Sequence, residues 1–143
     1  MFGDSRWTLL ADSYHYSGNG SVLLYASNSL RGPWQRTLVA SAFHDVQFAP
    51  GSGAPGWLYP HYPRAGSATG TQSFFVCGDG SVQFSLFEPT APDAAQWRQT
   101  YNENYRSTVG AAAVGDFDGD GWTDALVTDY NNGRVHAYTY APL

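Results

Sequence analysis

The chain has 143 residues, the length of one ordinary domain, and is 43% hydrophobic and 16% aromatic, enough to bury a core. It has no lysine, and seven arginines against twelve acidic residues leave a net charge of −5, which argues against nucleic acid or an anionic membrane surface as partner. No apolar run approaches the roughly 20 residues of a transmembrane helix, "MFGDSRWTLL" is not a signal peptide, and the single Cys77 excludes an intrachain disulfide and a thiolate metal site.

Glycine and proline are scattered throughout, and no segment sustains a 3.6-residue apolar period. Short aromatic and β-branched runs bounded by turn residues predict strands. Residues 1–41 offer "WTLLADSY" (7–14), "SVLLYAS" (21–27) and "WQRTLVA" (34–40), with an opening strand reduced to "MFGD". Asn19-Gly20 between the first two reads as a type I′ hairpin turn, whose central residues need positive φ. Residues 42–107 offer "FHDVQFA" (43–49), "QSFFVC" (72–77), "SVQFSLF" (81–87) and "AQWRQTY" (95–101), with Asp79-Gly80 as a turn. Cys77, after "SFFV", reads as a small buried hydrophobe rather than a nucleophile. Residues 108–143 offer "TVGAAAVGD", "DALVTDY" and "RVHAYTY". The small residues of "GAAAVG" suit an inner strand crowded around an axis; the alternative is an Ala/Gly linker.

Two markers recur together. "NGSV" at 19–22 returns as "DGSV" at 79–82 and "NGRV" at 132–135, and "PWQRT" at 33–37 is echoed by "QWRQT" at 96–100. A repeat of roughly 50–65 residues is the size of a four-stranded β-propeller blade. The expected fold is all-β: about three four-stranded antiparallel repeats (1–41, 42–107 and 108–143) of an incomplete propeller. Both ends lack a strand by this division, so further blades from a longer chain, or a homo-oligomer, are expected to cover them.

The segment "GSGAPGWLYPHYPRAGSATG" (51–70) reads as an insertion-like loop. It carries Trp57, Tyr59, His61, Tyr62 and Arg64. Rings with polar tips can stack on a sugar or anchor a protein; a proline-stiffened loop that only covers the fold is the plainer alternative. His15, His44, His61 and His136 have no metal-ligand spacing, and the neighbours His44 and Asp45 point to opposite faces of a strand. No nucleophile elbow, Walker loop or dinucleotide fingerprint is present, so enzymatic activity stays open and unfavoured.

The densest chemistry is "GDFDGDGWTDALVTDY", residues 115–130. Asp116, Asp118, Asp120 and Asp124 stand at positions 1, 3, 5 and 9 of a glycine-rich turn. Ca²⁺ takes six to eight oxygens at about 2.3–2.6 Å. Three carboxylates on a tight turn, the Trp122 carbonyl at position 7 and Asp124 at position 9 can supply them, with Gly121 permitting the bend. An acidic solvated turn is the alternative. An EF-hand is excluded, because position 12 is Val127 where a bidentate Glu is needed, and strands flank the loop where helices are needed.

This stretch resembles the calcium loops of FG-GAP/VCBS repeats, the blades of integrin α-subunit propellers and of related secreted microbial proteins. There the loop joins strands one and two, which is where this one falls. "MFGDSRW" and "APGSGAPGW" occupy the expected equivalent places, with Trp7 and Trp57 matching Trp122 but without the aspartates, so one Ca²⁺ is expected. The resemblance implies an extracellular, lectin- or adhesin-like module for a glycan or an extracellular protein. A carbohydrate-active enzyme built on such a propeller, or a purely structural repeat of a larger secreted protein, are the other readings it allows.

Overall fold

The structure is a computed structural model, and it describes residues 7–13, 19–46, 50–91 and 96–142. Ten antiparallel strands form three separate sheets, and the described residues contain no helix. Strands β1 (Trp7–Ser13), β2 (Asn19–Ser27) and β3 (Gln35–His44) form the first, in that order. The second is a four-stranded meander of β4 (Gly56–His61), β5 (Ser73–Gly78), β6 (Gln83–Pro89) and β7 (Trp97–Asn104). The third is β8 (Val109–Gly115), β9 (Asp124–Asp129) and β10 (Arg134–Thr139). Among the described residues no sheet closes into a barrel and the three form no closed ring.

The first strands of the sheets neighbour one another: β4 lies against β1, and β8 against β4 and β5. The four-stranded sheet is thus covered on both faces, and β5 shows why. All six of its residues are buried. Successive side chains leave a strand on opposite faces. Phe74 and Val76 join Val22, Phe43, Ala54 and Phe87 in one core, between the first and second sheets. Phe75 and Cys77 join Phe84, Val109, Ala125 and Val127 in another, between the second and third. A continuous apolar run is what a strand covered on both faces requires. Phe74 stacks on Phe87 at 5.0 Å and meets Trp97 edge-on at 6.0 Å. The Trp97 indole donates to the Gln72 carbonyl at 2.8 Å. Cys77 is wholly buried, and burial pushes its thiol up to about 12, so it stays protonated and unreactive at neutral pH.

Three expectations need correction. Residues 51–70 are not an insertion-like loop, because 56–61 form β4, paired along its length with β5 from Gly56↔Gly78 to His61↔Ser73. Consequently "FHDVQFA" does not supply that sheet's first strand. Phe43 and His44 instead end β3, paired with Gly20 and Asn19, and 47–49 lie outside the described residues. The repeated glycines are also used differently from one another. Gly133 takes φ +64°, as a hairpin turn requires, but Asn19 and Gly20 belong to β2, and Gly20 and Gly80 do not adopt positive φ. They are glycines because backbone approaches them: a Cβ on Gly20 would lie 2.1 Å from the Ala54 carbonyl oxygen, and one on Gly80 2.9 Å from that of Gly53. In the Gly80 hairpin the positive φ falls to Val82, at +53°, a strained place for a β-branched residue. "MFGD" and His15 lie outside the described residues.

Candidate metal centre

The β8–β9 connection, residues 116–123, is built by its aspartates acting on its own backbone. Asp116 accepts the Gly119 amide at 2.7 Å on one oxygen and the Gly121 amide at 3.0 Å on the other. Asp118 accepts the Asp120 amide at 3.1 Å, and Asp120 the Trp122 amide at 2.8 Å. Short acidic side chains that bond the backbone two or three residues on are the standard chemistry of such turns. Gly119 and Gly121 take φ +81° and +83°, which L side chains resist, and nothing would touch a Cβ at either. Backbone conformation, not space, selects glycine there.

The consequence is convergence. One carboxylate oxygen from each of Asp116, Asp118 and Asp120 lies within 4.8 Å of the other two, and all three residues are exposed. Oxygens bound to one Ca²⁺ at about 2.3–2.6 Å are at most about 5 Å apart, so this donor set fits a hard divalent cation. Asp124 is not in that cluster. It is buried at the start of β9, and its Oδ2 accepts the Phe117 amide at 2.8 Å, which ties the loop's first turn to the sheet.

Trp122 is placed by a second loop. The β4–β5 connection, beginning at Tyr62, zips against it: Arg64 and Trp122 form a bridge, the Ala65 amide donates to the Gly121 carbonyl at 3.2 Å, and the Thr123 amide to the Pro63 carbonyl at 2.9 Å. The Thr123 hydroxyl also donates to the Tyr62 carbonyl at 2.5 Å. With the bridge bonds made by their neighbours, Arg64 and Trp122 direct their own amides and carbonyls away from each other. The Trp122 amide goes to Asp120, so its carbonyl leaves on the aspartate side. The Arg64 guanidinium lies 3.7 Å from the centre of the Trp122 ring.

The residues of 57–64 are therefore dispersed rather than gathered into one platform. Trp57 is the second residue of β4 and is 65% exposed. It sits in a first strand, not in the loop after one, so it is not the counterpart of Trp122. Tyr59 packs on the second core. His61 is buried: its ring stacks on Phe75 at 4.2 Å, and its nitrogens face the Tyr59 carbonyl at 3.1 Å and the Tyr140 hydroxyl at 3.3 Å. Burial holds its pKa below the ordinary imidazole value, against the opposing pull of that carbonyl. Of these, Tyr62 and Arg64 meet the aspartate loop, Tyr62 through its carbonyl and Arg64 through the backbone bridge and its stacked guanidinium.

The sequence reading missed a polar cluster where β7 meets β10. Glu103 Oε2 accepts the Tyr101 hydroxyl at 2.5 Å and the Tyr138 hydroxyl at 2.7 Å, and the Tyr105 hydroxyl bonds that of Tyr138. The two tyrosine donors hold the Glu103 carboxyl below the usual range, and burial pushes Tyr105 up to about 12. "YNENY" holds the clue: alternate residues 101, 103 and 105 share a strand face. That their partner is Tyr138 is visible only in three dimensions.

Compared with protein-family models, curated proteins and solved structures, the chain matches none.

Proposed function

We propose that this chain is a calcium-binding segment of a β-propeller, and that it works outside cells as a recognition module for a glycan or a protein. The observation that carries the reading is the meeting of the Asp116, Asp118 and Asp120 carboxylates on the connection between the first and second strands of a sheet. Three meanders that neighbour one another through their first strands support the propeller half of it. Asp116, Asp118 and Asp120, joined by Asp124 and the Trp122 carbonyl, would hold the cation. Bound Ca²⁺ supplies positive charge that offsets the mutual repulsion of the carboxylates. The chain's own contribution is to pre-fold the loop through its Asp–amide bonds and to clamp it to the β4–β5 connection. Recognition then falls to the surface the clamp presents, where Arg64 stacked on Trp122 lies beside the aspartates, and to Trp57, which stands exposed near the start of β4. An extracellular setting follows from the millimolar Ca²⁺ found there, which fills even weak sites.

Isothermal titration of Ca²⁺ into chelator-treated protein tests the metal, with about one site expected. Neither heat nor a melting shift at millimolar Ca²⁺ would sink the reading. A glycan array with and without Ca²⁺ separates recognition from a scaffold role. Trp57→Ala is expected to weaken glycan binding at nearly unchanged melting temperature.

A further inference from the structure

Four rings from four strands form a stacked column across the interface of the second and third sheets. Tyr138 of β10 lies 4.9 Å from Phe84 of β6, Phe84 5.0 Å from Phe75 of β5, and Phe75 4.2 Å from His61 of β4. Tyr101 meets Phe84 and Tyr138 edge-on at 6.4 and 5.8 Å, and Tyr140 tilts against Phe75 at 6.3 Å. Between these rings lies an open groove of about 250 Å³, bordered by Phe75, Phe84, Leu86, Tyr101, Tyr138 and Tyr140, with Thr123 and Thr139 completing its rim.

Its charge is one-sided. The Glu103 carboxylate is fixed at the hydroxyls of Tyr101 and Tyr138, both groove residues. Glu88 interacts with the hydroxyl of Tyr140, a third groove residue. No arginine borders the groove, and the chain has no lysine. The pKa of His61, stacked on Phe75, is lowered by burial, which disfavours its cationic form. Hydrogen bonding of the two phenols to a carboxylate adds electron density to rings whose faces are already negative. A ring-lined groove with carboxylates held at its tyrosine hydroxyls attracts a large, weakly hydrated cation, whose desolvation costs little and whose charge is drawn to ring faces.

We propose that this groove binds a small organic cation, a quaternary or methylated ammonium group, held by the rings of Tyr101, Tyr138 and Tyr140 and by the charge of Glu103. A sugar needs donors and acceptors spread around its ring. Most polar groups here are already engaged: the Tyr101 and Tyr138 hydroxyls donate to Glu103, the Thr123 hydroxyl donates to the Tyr62 carbonyl, and the Thr139 hydroxyl accepts the Ala141 amide, which leaves charge to offer and few free donors. The groove shares Thr123 with the clamp of the aspartate loop but contains none of the Asp116, Asp118 and Asp120 carboxylates, and it does not depend on the calcium reading.

The test follows tyrosine ring protons and β10 amides by NMR while choline is added at constant ionic strength. A saturable shift at Tyr101, Tyr138 and Tyr140 is expected. The neutral isostere 3,3-dimethylbutan-1-ol should bind at least roughly tenfold more weakly, the share a ring-bound charge commonly contributes. Glu103→Gln, which still accepts both hydroxyls, should weaken choline binding while the melting temperature holds, and Tyr101→Phe should keep most of it. Asp118→Asn should leave choline binding unchanged, which separates this site from the metal. Equal affinity for the neutral isostere would overturn the proposal, because the groove would then be merely apolar. So would the absence of saturation with choline, or a methyl glycoside shifting the same resonances where choline does not. If Glu103→Gln fails to fold, the choline–isostere comparison on the native protein still decides.

Discussion

Strand β5 and the β8–β9 loop are the two extremes of this molecule. Every residue of β5 is buried, and its rings are held by two separate cores. The loop aspartates 116, 118 and 120 are exposed and bonded chiefly to their own backbone. The first region draws its stability from apolar area, a term indifferent to ions. The second gathers like charges, and its folded form gains most from whatever offsets them. One chain can therefore hold a buried frame and a charge-sensitive loop, joined through Asp124 and the clamp at Thr123.

The harshest way to break the comparison is Phe74→Ala. It removes a ring stacked on Phe87 and packed against Trp97, and should cost about 3–5 kcal/mol. Thermal melts should show the same loss with and without Ca²⁺. A loss that depended on Ca²⁺ would mean the two regions are not separable.

Next in size is the metal effect. Ca²⁺ at a hundredfold excess over its Kd should stabilise the native protein by about 2.7 kcal/mol, read as a rise in melting temperature. Asp118→Asn keeps an acceptor for the Asp120 amide and removes one charge. It should abolish most of that rise and change the metal-free protein by no more than about 0.5 kcal/mol. Gly121→Ala should cost roughly 1 kcal/mol through its φ of +83°, with no clash to blame.

A pH titration sharpens the contrast from the core side. The pKa of His61 is depressed in the folded state, so its stability contribution is fully present above the unfolded value of 6.5. Below that the unfolded chain takes up a proton that the folded chain resists, and stability falls until the folded pKa is passed. His61→Phe, which can keep the stack on Phe75, should flatten that fall in melts taken between pH 7 and pH 5. The smallest effect belongs to the clamp. Arg64→Ala removes the guanidinium over Trp122 and should cost about 0.5–1 kcal/mol. The loss should shrink little in salt if ring packing dominates, and more if charge does.

Much of the frame was legible. β2, β5, β6, β9 and β10 follow apolar or alternating runs whose limits are marked by nearby turn residues. The Asp loop was legible too, because its bonds join residues two to five apart in sequence. β4 was not: "GWLYPH" looks like a loop by composition, and becomes a strand because β5 offers it an edge. Its proline is tolerated where the sheet's outer edge needs no donor.

What the sequence determined by itself is what short-range chemistry decides: an all-β chain, the place of the aspartate turn and its glycines, and an inert cysteine inside "SFFVC". Tertiary structure alone decided that His61 is buried while Trp57 is exposed, that Gly20 and Gly80 are needed for backbone approach, that Arg64 covers Trp122, and that Glu103 lies among tyrosines from two sheets. The reason is range. Turn conformation depends on neighbours along the chain, whereas burial and close approach depend on which sheet packs on which, set by residues as far apart as Gly20 and Ala54 or Tyr62 and Thr123.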